Sequence, residues 1–527
     1  MKKTILAMAL LLALLFSLAA CASEPASPNG SVTPSGGQNA APTPGSTPDG
    51  GDDQNVEPEE PVEIEYWILT GNVEPTDETK AKVEALINEV SEQEINVHVN
   101  ISFIPTPDYA NQLNLAIANK EVVDLAMYTF MGPLAMFTSS NAAMDITDLV
   151  DAYGPAIKET MGDLLANVSY SGRLYGVPVA RNYNSDAYIA MRLDVLESIG
   201  MQEQFENMAT WAEWEEIMQA VKEQGETYAI GGGENGVAVI WSLAAIVGPN
   251  MSDSYYINNI GDNMNVIACT DDGQVYVAVE DPGIVSTYKA LAAWYQAGYI
   301  YPDSAYTGTN KFDLVAAKTF ASYIANSEYG YAATASSKAG TPMAAKLFAI
   351  GPVNTGAMGL TGAFVPSSAA EPEAAVKFLN LMYANADVMN ALIYGVEGEN
   401  YVLTAEGEAA YPEGVDASAC GYRQNDFFYG NNFLAYPIVG NGGDFRVRAM
   451  DNFLTAPVSK YGNANVDLSD YGTIVANLKT VVEEFRQMMA SGLYTDQFYA
   501  EYLSRLDAAG IDTYVELFQS AINEYQA

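Results

Sequence analysis

From Val62 onward the chain switches repeatedly between two hydrophobic periods, and this alternation constrains its fold more than any other feature. Ile64, Tyr66 and Ile68 alternate with polar neighbours, the period-2 signature of a strand. Pro75-Thr76-Asp77-Glu78 reads as a helix start, with acids in the first turn where the helix dipole favours them. Val83, Leu86, Ile87 and Val90 supply the apolar face of that helix. Ile95, Val97, Val99, Ile101 and Phe103 alternate through a second strand. A helix from Asp108 carries Tyr109, Leu113 and Ile117 on one side, and Val122 to Tyr128 reads as a third, buried strand. Strand–helix–strand–helix–strand at this spacing predicts parallel pairing with right-handed crossovers. In open sheets of this kind a ligand sits beyond the carboxyl ends of the strands. Those ends are Leu69 to Asn72 and Tyr128 to Gly132.

The pattern continues. Gly172-Arg173-Leu174-Tyr175-Gly176-Val177-Pro178 reads as a turn into an extended segment, which runs through Arg181-Asn182-Tyr183 to a helix near Leu193. Thr210 is placed as the N-cap of a helix bearing Trp211, Trp214, Ile217, Met218 and Val221. Asp271-Asp272-Gly273 between two alternating runs is a hairpin signal. A helix from Ser286 to Ala297 ends at Gly298, a C-cap position, and another starts after Glu371-Pro372-Glu373. Tyr471 to Ala527 reads as two or three helices. At 527 residues the chain exceeds one ordinary core, so at least two domains are expected.

The N-terminus is of a different kind. Lys2 and Lys3 precede an apolar run from Ile5 to Leu18, shorter than the ~20 residues a spanning helix needs, and small residues lead to Cys21. This order reads as an export signal. Its ending resembles a bacterial lipoprotein signal, which implies cleavage after residue 20 and acylation of Cys21. Residues 21–61 then form a stretch rich in Ser, Pro, Gly, Thr and Ala without Lys or Arg, expected to be a disordered tether. As a flexible coil it would reach roughly 35 Å on average. The net charge of −43, from 66 acidic and 23 basic residues, repels phosphate backbones and disfavours nucleic acid as a partner. Cys269 and Cys420 are the remaining cysteines, and an extracellular disulfide between them is open.

Several segments together resemble a known family. Ser171-Gly172-Arg173-Leu174-Tyr175-Gly176-Val177-Pro178 is similar to its approach to a first interlobe crossing. Glu371-Pro372-Glu373-Ala374-Ala375-Val376-Lys377-Phe378-Leu379 is similar to the helix after its return crossing. Tyr394-Gly395-Val396-Glu397-Gly398-Glu399-Asn400-Tyr401, Tyr429-Gly430-Asn431-Asn432-Phe433 and Gly510-Ile511-Asp512 follow in the family's order. The chain thus resembles an extracellular solute-binding lipoprotein of a bacterial carbohydrate ABC importer, of the maltose-binding-like type. The resemblance implies an α/β, two-lobed, type II periplasmic-binding-protein-like fold with a cleft between the lobes. It implies lobe 1 at about 62–177 plus 363–440 and lobe 2 at about 178–362 plus 441–527. It also implies a monomer, held to the membrane by lipid, that delivers its cargo to permease subunits.

Sugars present hydroxyl edges and flat C–H faces, so their sites combine aromatic rings with amide, carboxylate or guanidinium groups. Strand ends and crossings therefore nominate Trp67, Thr70, Asn72 and Tyr128, then Arg181, Asn182 and Tyr183, then Trp241 and Tyr329. For Tyr128 and Tyr329 the family alignment adds proximity to a cleft aromatic. Phe427, Phe428 and Tyr429 form a further aromatic cluster. Each competes with a packing role, which is the expected role for Trp211, Trp214 and Trp294. Catalysis is disfavoured. His98 is the sole histidine and sits at a strand edge, which leaves Ser-His-Asp chemistry without a base elsewhere. No His/Cys cluster suits zinc, and Gly231-Gly232-Gly233 lacks the Lys-Ser/Thr of a phosphate loop. No metal or cofactor is expected. A peptide importer component is the alternative; a surface glycan receptor or a glycosidase stands behind it.

Overall fold

Two open sheets organise the protein. The computed structural model describes residues 60–232 and 260–526, apart from 72, 263, 459, 463, 465 and 467. The signal, the tether up to residue 59 with Cys21, and the candidates Asn72 and Trp241 lie outside the described residues. Along the chain run β1 (Val62–Leu69), α1 (Asp77–Ile95), β2 (Val97–Ile104), α2 (Thr106–Ala118) and β3 (Leu125–Tyr128). Then come β4 (Val177–Pro178), β5 (Asp186–Arg192), α3 (Trp211–Gln224), β6 (Tyr228–Ile230) and α4 (Pro282–Ala297). They are followed by β7 (Phe320–Ser327), β8 (Met343–Ala349), β9 (Gly362–Phe364), α5 (Pro372–Ala384) and α6 (Phe445–Thr455). Three helices, Gly472–Ala490, Asp496–Ala509 and Ile511–Gln526, close the chain.

The first sheet has the order β2-β1-β3-β9-β4. β1 pairs in parallel with β2 and β3, as the alternation predicts, whereas β9 runs antiparallel to β3 and β4. The second has the order β8-β5-β7-β6, with β5 antiparallel to both neighbours and β7 parallel to β6. Each sheet has its own core. Ile64, Ile68, Val99 and Leu125 of the first pack with Val83 and Ile87 of α1 and with α5. The second buries Ile189, Met191 and Ile324 against Trp214, Ile217 and Trp294, with Trp211 stacked on Trp294 at 4.5 Å. α4 joins that core to a helical one, because its Tyr288 packs with Phe485, Tyr502 and Phe518 of the closing helices. This α/β body with two sheet-centred lobes is the expected fold class.

Local signals hold where they are covalently short. Thr76 caps α1 through Thr79 N at 3.2 Å. Thr210 and Glu213 form a reciprocal capping box on α3. Ile267–Cys269 and Val275–Val277 form the hairpin around Gly273, and Gly298 ends α4 in the left-handed region. Boundaries moved where packing decides. Leu86, read as core, is more than a third exposed, because α1 buries Val83 and Ile87 instead. β3 starts at Leu125, and Val122 lies exposed before it. Cys269 and Cys420 are both buried free thiols.

Candidate functional site

Three stretches of chain run between the sheets and are stitched together. The first follows β4: Ala180 N–H donates to Gly430 O at 2.8 Å, and Ser185 N–H to Pro352 O at 3.1 Å. The second links β8 to β9: Asn354 N–H donates to Tyr183 O and Val353 N–H to Pro457 O. The third follows α6 at Pro457 and Val458. Backbones touch here. A Cβ on Gly351 would lie 1.9 Å from Ser185 O, so only glycine fits. At the start of β5, Asp186 has no solvent exposure; one carboxylate oxygen accepts from Gly351 N–H at 2.9 Å. Its other oxygen has no hydrogen-bond partner among the described residues, although the amides of Asn184 and Asn452 stand near. Burial pushes this carboxyl up to about 7 despite those amides.

On this seam lies a cluster drawn from both sheets. Arg181, after β4, forms an ion pair with Glu328, the residue directly after β7. The guanidinium lies 4.1 Å from the Tyr183 ring and 4.8 Å from the Phe427 ring. Burial outweighs the Arg181 partner and lifts the Glu328 carboxyl above its ordinary value. Alongside, Arg446 of α6 pairs with Asp426 at 2.8 Å and also bonds Asn432. Burial alone would raise the Asp426 carboxyl, but Arg446 and Arg423 overcome it and hold the group below its ordinary range. Asn182 donates to Asn452 Oδ1 at 2.7 Å and to Ala449 O, fixing the crossing to α6. Phe427 is 41% exposed; Phe130, after β3, is 63% exposed and its ring lies 6.2 Å from that of Phe428. Tyr329 accepts from Arg448 Nη1 at 2.9 Å and packs on Phe445.

The groups gathered here are suited to recognition. Charges are present as internally neutralised pairs, and apolar ring faces stand beside them. Among the described residues no group of three potential metal ligands converges, and His98 sits on β2 beside Glu92. Such a surface suits an uncharged, hydroxyl-rich ligand.

The structure brings Arg181, Asn182 and Tyr183 together with the segment before Tyr329, but it corrects two strand-end residues. Tyr128 was expected to stack on ligand; it is 0% exposed, and its hydroxyl donates to Met358 O at 2.9 Å. Its ring fills the gap beneath Gly176 and Gly362 and is a packing residue. Thr70 is buried, and the next residue, Gly71, lies so close to the Arg423 carbonyl that a Cβ there would clash. Trp67 is half-buried and its carbonyl accepts from Tyr109. Tyr183 is covered by Arg181, so its ring supports the guanidinium. Glu328, Asp426, Arg446 and Phe130 were not singled out. Their partners lie far along the chain, and only the position of Phe130, two residues past a strand end, was a usable signal.

A hinged body with two sheets and a ring-lined, charge-paired seam defines a solute-binding protein. Residues 85–398 match the family described as "Bacterial extracellular solute-binding protein", and this chain belongs to that family. It is 22% identical over 357 residues to a "Carbohydrate ABC transporter substrate-binding protein" of Streptococcus pneumoniae serotype 4, covering 66% of this chain and 68% of the relative. Among solved structures, the N-glycan transport solute binding protein (NgtS) of Streptococcus pneumoniae superposes with a TM-score of 0.66 at 17% identity. That match covers 88% of this chain and 99% of NgtS. An extracellular solute-binding protein of Bifidobacterium longum subsp. infantis superposes with a TM-score of 0.57 at 14% identity, over 89% and 99% of the two chains. These likenesses establish the two-lobed fold. No helix among the described residues is long and apolar enough to cross a membrane.

Proposed function

We infer that this protein captures an oligosaccharide outside the cell, between its two lobes, and delivers it to the permease of an ABC importer. The observation that carries the reading is the Arg181–Glu328 pair. It joins the segment after β4 to the end of β7 and sits beneath the open ring of Phe427. Groups from both sheets meet there, so a ligand touching them gains its full contacts only when the lobes are closed. Closure is then favoured by the difference in ligand affinity between the two forms. Relatives named for carbohydrate transport and N-glycan transport support the choice of a sugar. The lobes divide at about 62–177 plus 363–456 and 178–362 plus 457–527; Phe453 of α6 and Ala456 pack in the first sheet's core, which supports a last boundary past the expected residue 440. The acylated Cys21 anchors the protein, and residues 21–61 hold the body off the membrane. ATP hydrolysis belongs to the transporter.

A thermal-shift screen of the mature protein against oligosaccharides and peptides tests this. A ligand of the folded state raises the melting temperature by mass action. A sugar that does so, with a millimolar or tighter Kd by calorimetry, is the expected result. A response to peptides alone would reassign the protein to peptide uptake.

A further inference from the structure

Beyond the seam, a small, partly open recess of about 50 Å³ lies on the first lobe. Its walls include Tyr394, Tyr401, Tyr411, Tyr422 and Arg423. The Tyr394 and Tyr401 rings lie 5.4 Å apart, and the Arg423 guanidinium sits 4.3 Å from the Tyr394 ring. Some polar groups here are already committed. Tyr394 donates to Tyr436 O at 2.6 Å and Tyr422 to Leu392 O at 2.8 Å. Others are free: the hydroxyls of Tyr401 and Tyr411 have no hydrogen bond among the described residues, and Arg423 uses only Nη1, toward Ile393 O and Gln424 O. Tyr411 is 40% exposed and forms an open lip.

The recess is contiguous with the seam. Arg423 is four residues from Phe427, at most about 14 Å of extended chain. Arg446, which holds Asp426 in the seam, also donates to Tyr436 O at 3.4 Å. The Tyr436 ring in turn lies 6.1 Å from that of Tyr401. Ring faces with a few uncommitted donors are the combination that the C–H faces and hydroxyls of a sugar require. No carboxylate lines the recess to attract a cation.

We propose that this recess is an outlying sugar subsite, which receives the distal residue of a glycan whose other end lies at Arg181 and Phe427. The proposal rests on the reading of glycan capture given above. The test uses the mature protein on a carbohydrate array of mono- to decasaccharides, then calorimetry on the shortest and longest members of the bound series. Tyr411→Ala removes the lip, and Tyr401→Phe removes one hydroxyl while keeping the ring; Phe427→Ala is the control in the seam. The expected result is that the recess variants bind the short glycan as wild type does and lose about fivefold on the long one, the scale of one aromatic or hydrogen-bonding contact. Phe427→Ala weakens both glycans. If the recess variants bind long and short glycans as wild type does while Phe427→Ala weakens both, the subsite is overturned and glycan capture stands. A wild-type protein that binds no glycan overturns both.

Discussion

Asp186 is where the hinge should report its own electrostatics. Its carboxyl ordinarily titrates at 3.8 and in the folded protein is pushed up to about 7, first by burial and then by the nearby Glu328 charge. Gly351 N–H, Asn452 and Asn184 oppose the shift without cancelling it, and Tyr188 also lies close enough to interact with this carboxyl. A carboxyl raised on folding stabilises the native state fully below its unfolded pKa, and that stabilisation is lost as pH rises through the folded pKa. The shift spans about three pH units, and one unit is worth about 1.36 kcal/mol, so the swing is on the order of 4 kcal/mol. Asp186→Asn retains an oxygen for Gly351 N–H and has no charge to bury. The perturbation is therefore read as a difference between two proteins that share the remaining charge of the chain. Urea unfolding followed by circular dichroism, between pH 4.5 and 8.5, gives both stabilities. The variant is expected to gain on wild type steadily up to pH 7 and then hold a constant lead of a few kcal/mol. Parallel stability profiles across that range would refute the reasoning, because they would mean that Asp186 ionises without penalty in the folded hinge.

Phe427→Ala removes an open ring face and leaves Arg181 paired with Glu328. Calorimetry should record a severalfold loss of ligand affinity with an unchanged melting temperature, and a matching drop in stability would instead make Phe427 a packing residue. Trp214→Ala empties a fully buried site in the second lobe's core. Denaturant unfolding should report a loss of about 3–5 kcal/mol, and a loss below about 1 kcal/mol would contradict the packing described. Cys21→Ala should move the protein from the membrane fraction to the medium; retention in the membrane fraction would count against the lipid anchor.

Much of the architecture is decided locally and was therefore legible. The strands β1 to β3, the Thr76 and Thr210 caps, the hairpin at Gly273 and the C-terminal helices depend on side-chain period, on one hydroxyl reaching a backbone amide three residues on, or on a glycine tolerating positive φ. Each of those causes acts within a few residues. The strand ends show where local reasoning stops. Tyr128 and Phe130 are two residues apart, of similar size and both aromatic, yet one is sealed in the core and the other stands open. The difference lies in Gly176 and Gly362, which leave room for the Tyr128 ring and are remote in sequence.

By itself, then, the order of residues determined an α/β protein whose parallel strand–helix units would place a site at strand ends and crossings. Hydrophobic period and helix-capping chemistry carry that information, and both are short-range. The tertiary structure alone decided which groups form the seam. Arg181 meets Glu328 across 147 positions, and Asp426 meets Arg446 only because α6 returns to the first lobe. The strength of such pairs depends on distance and on exclusion of water, and neither quantity exists until the two sheets have folded and come together.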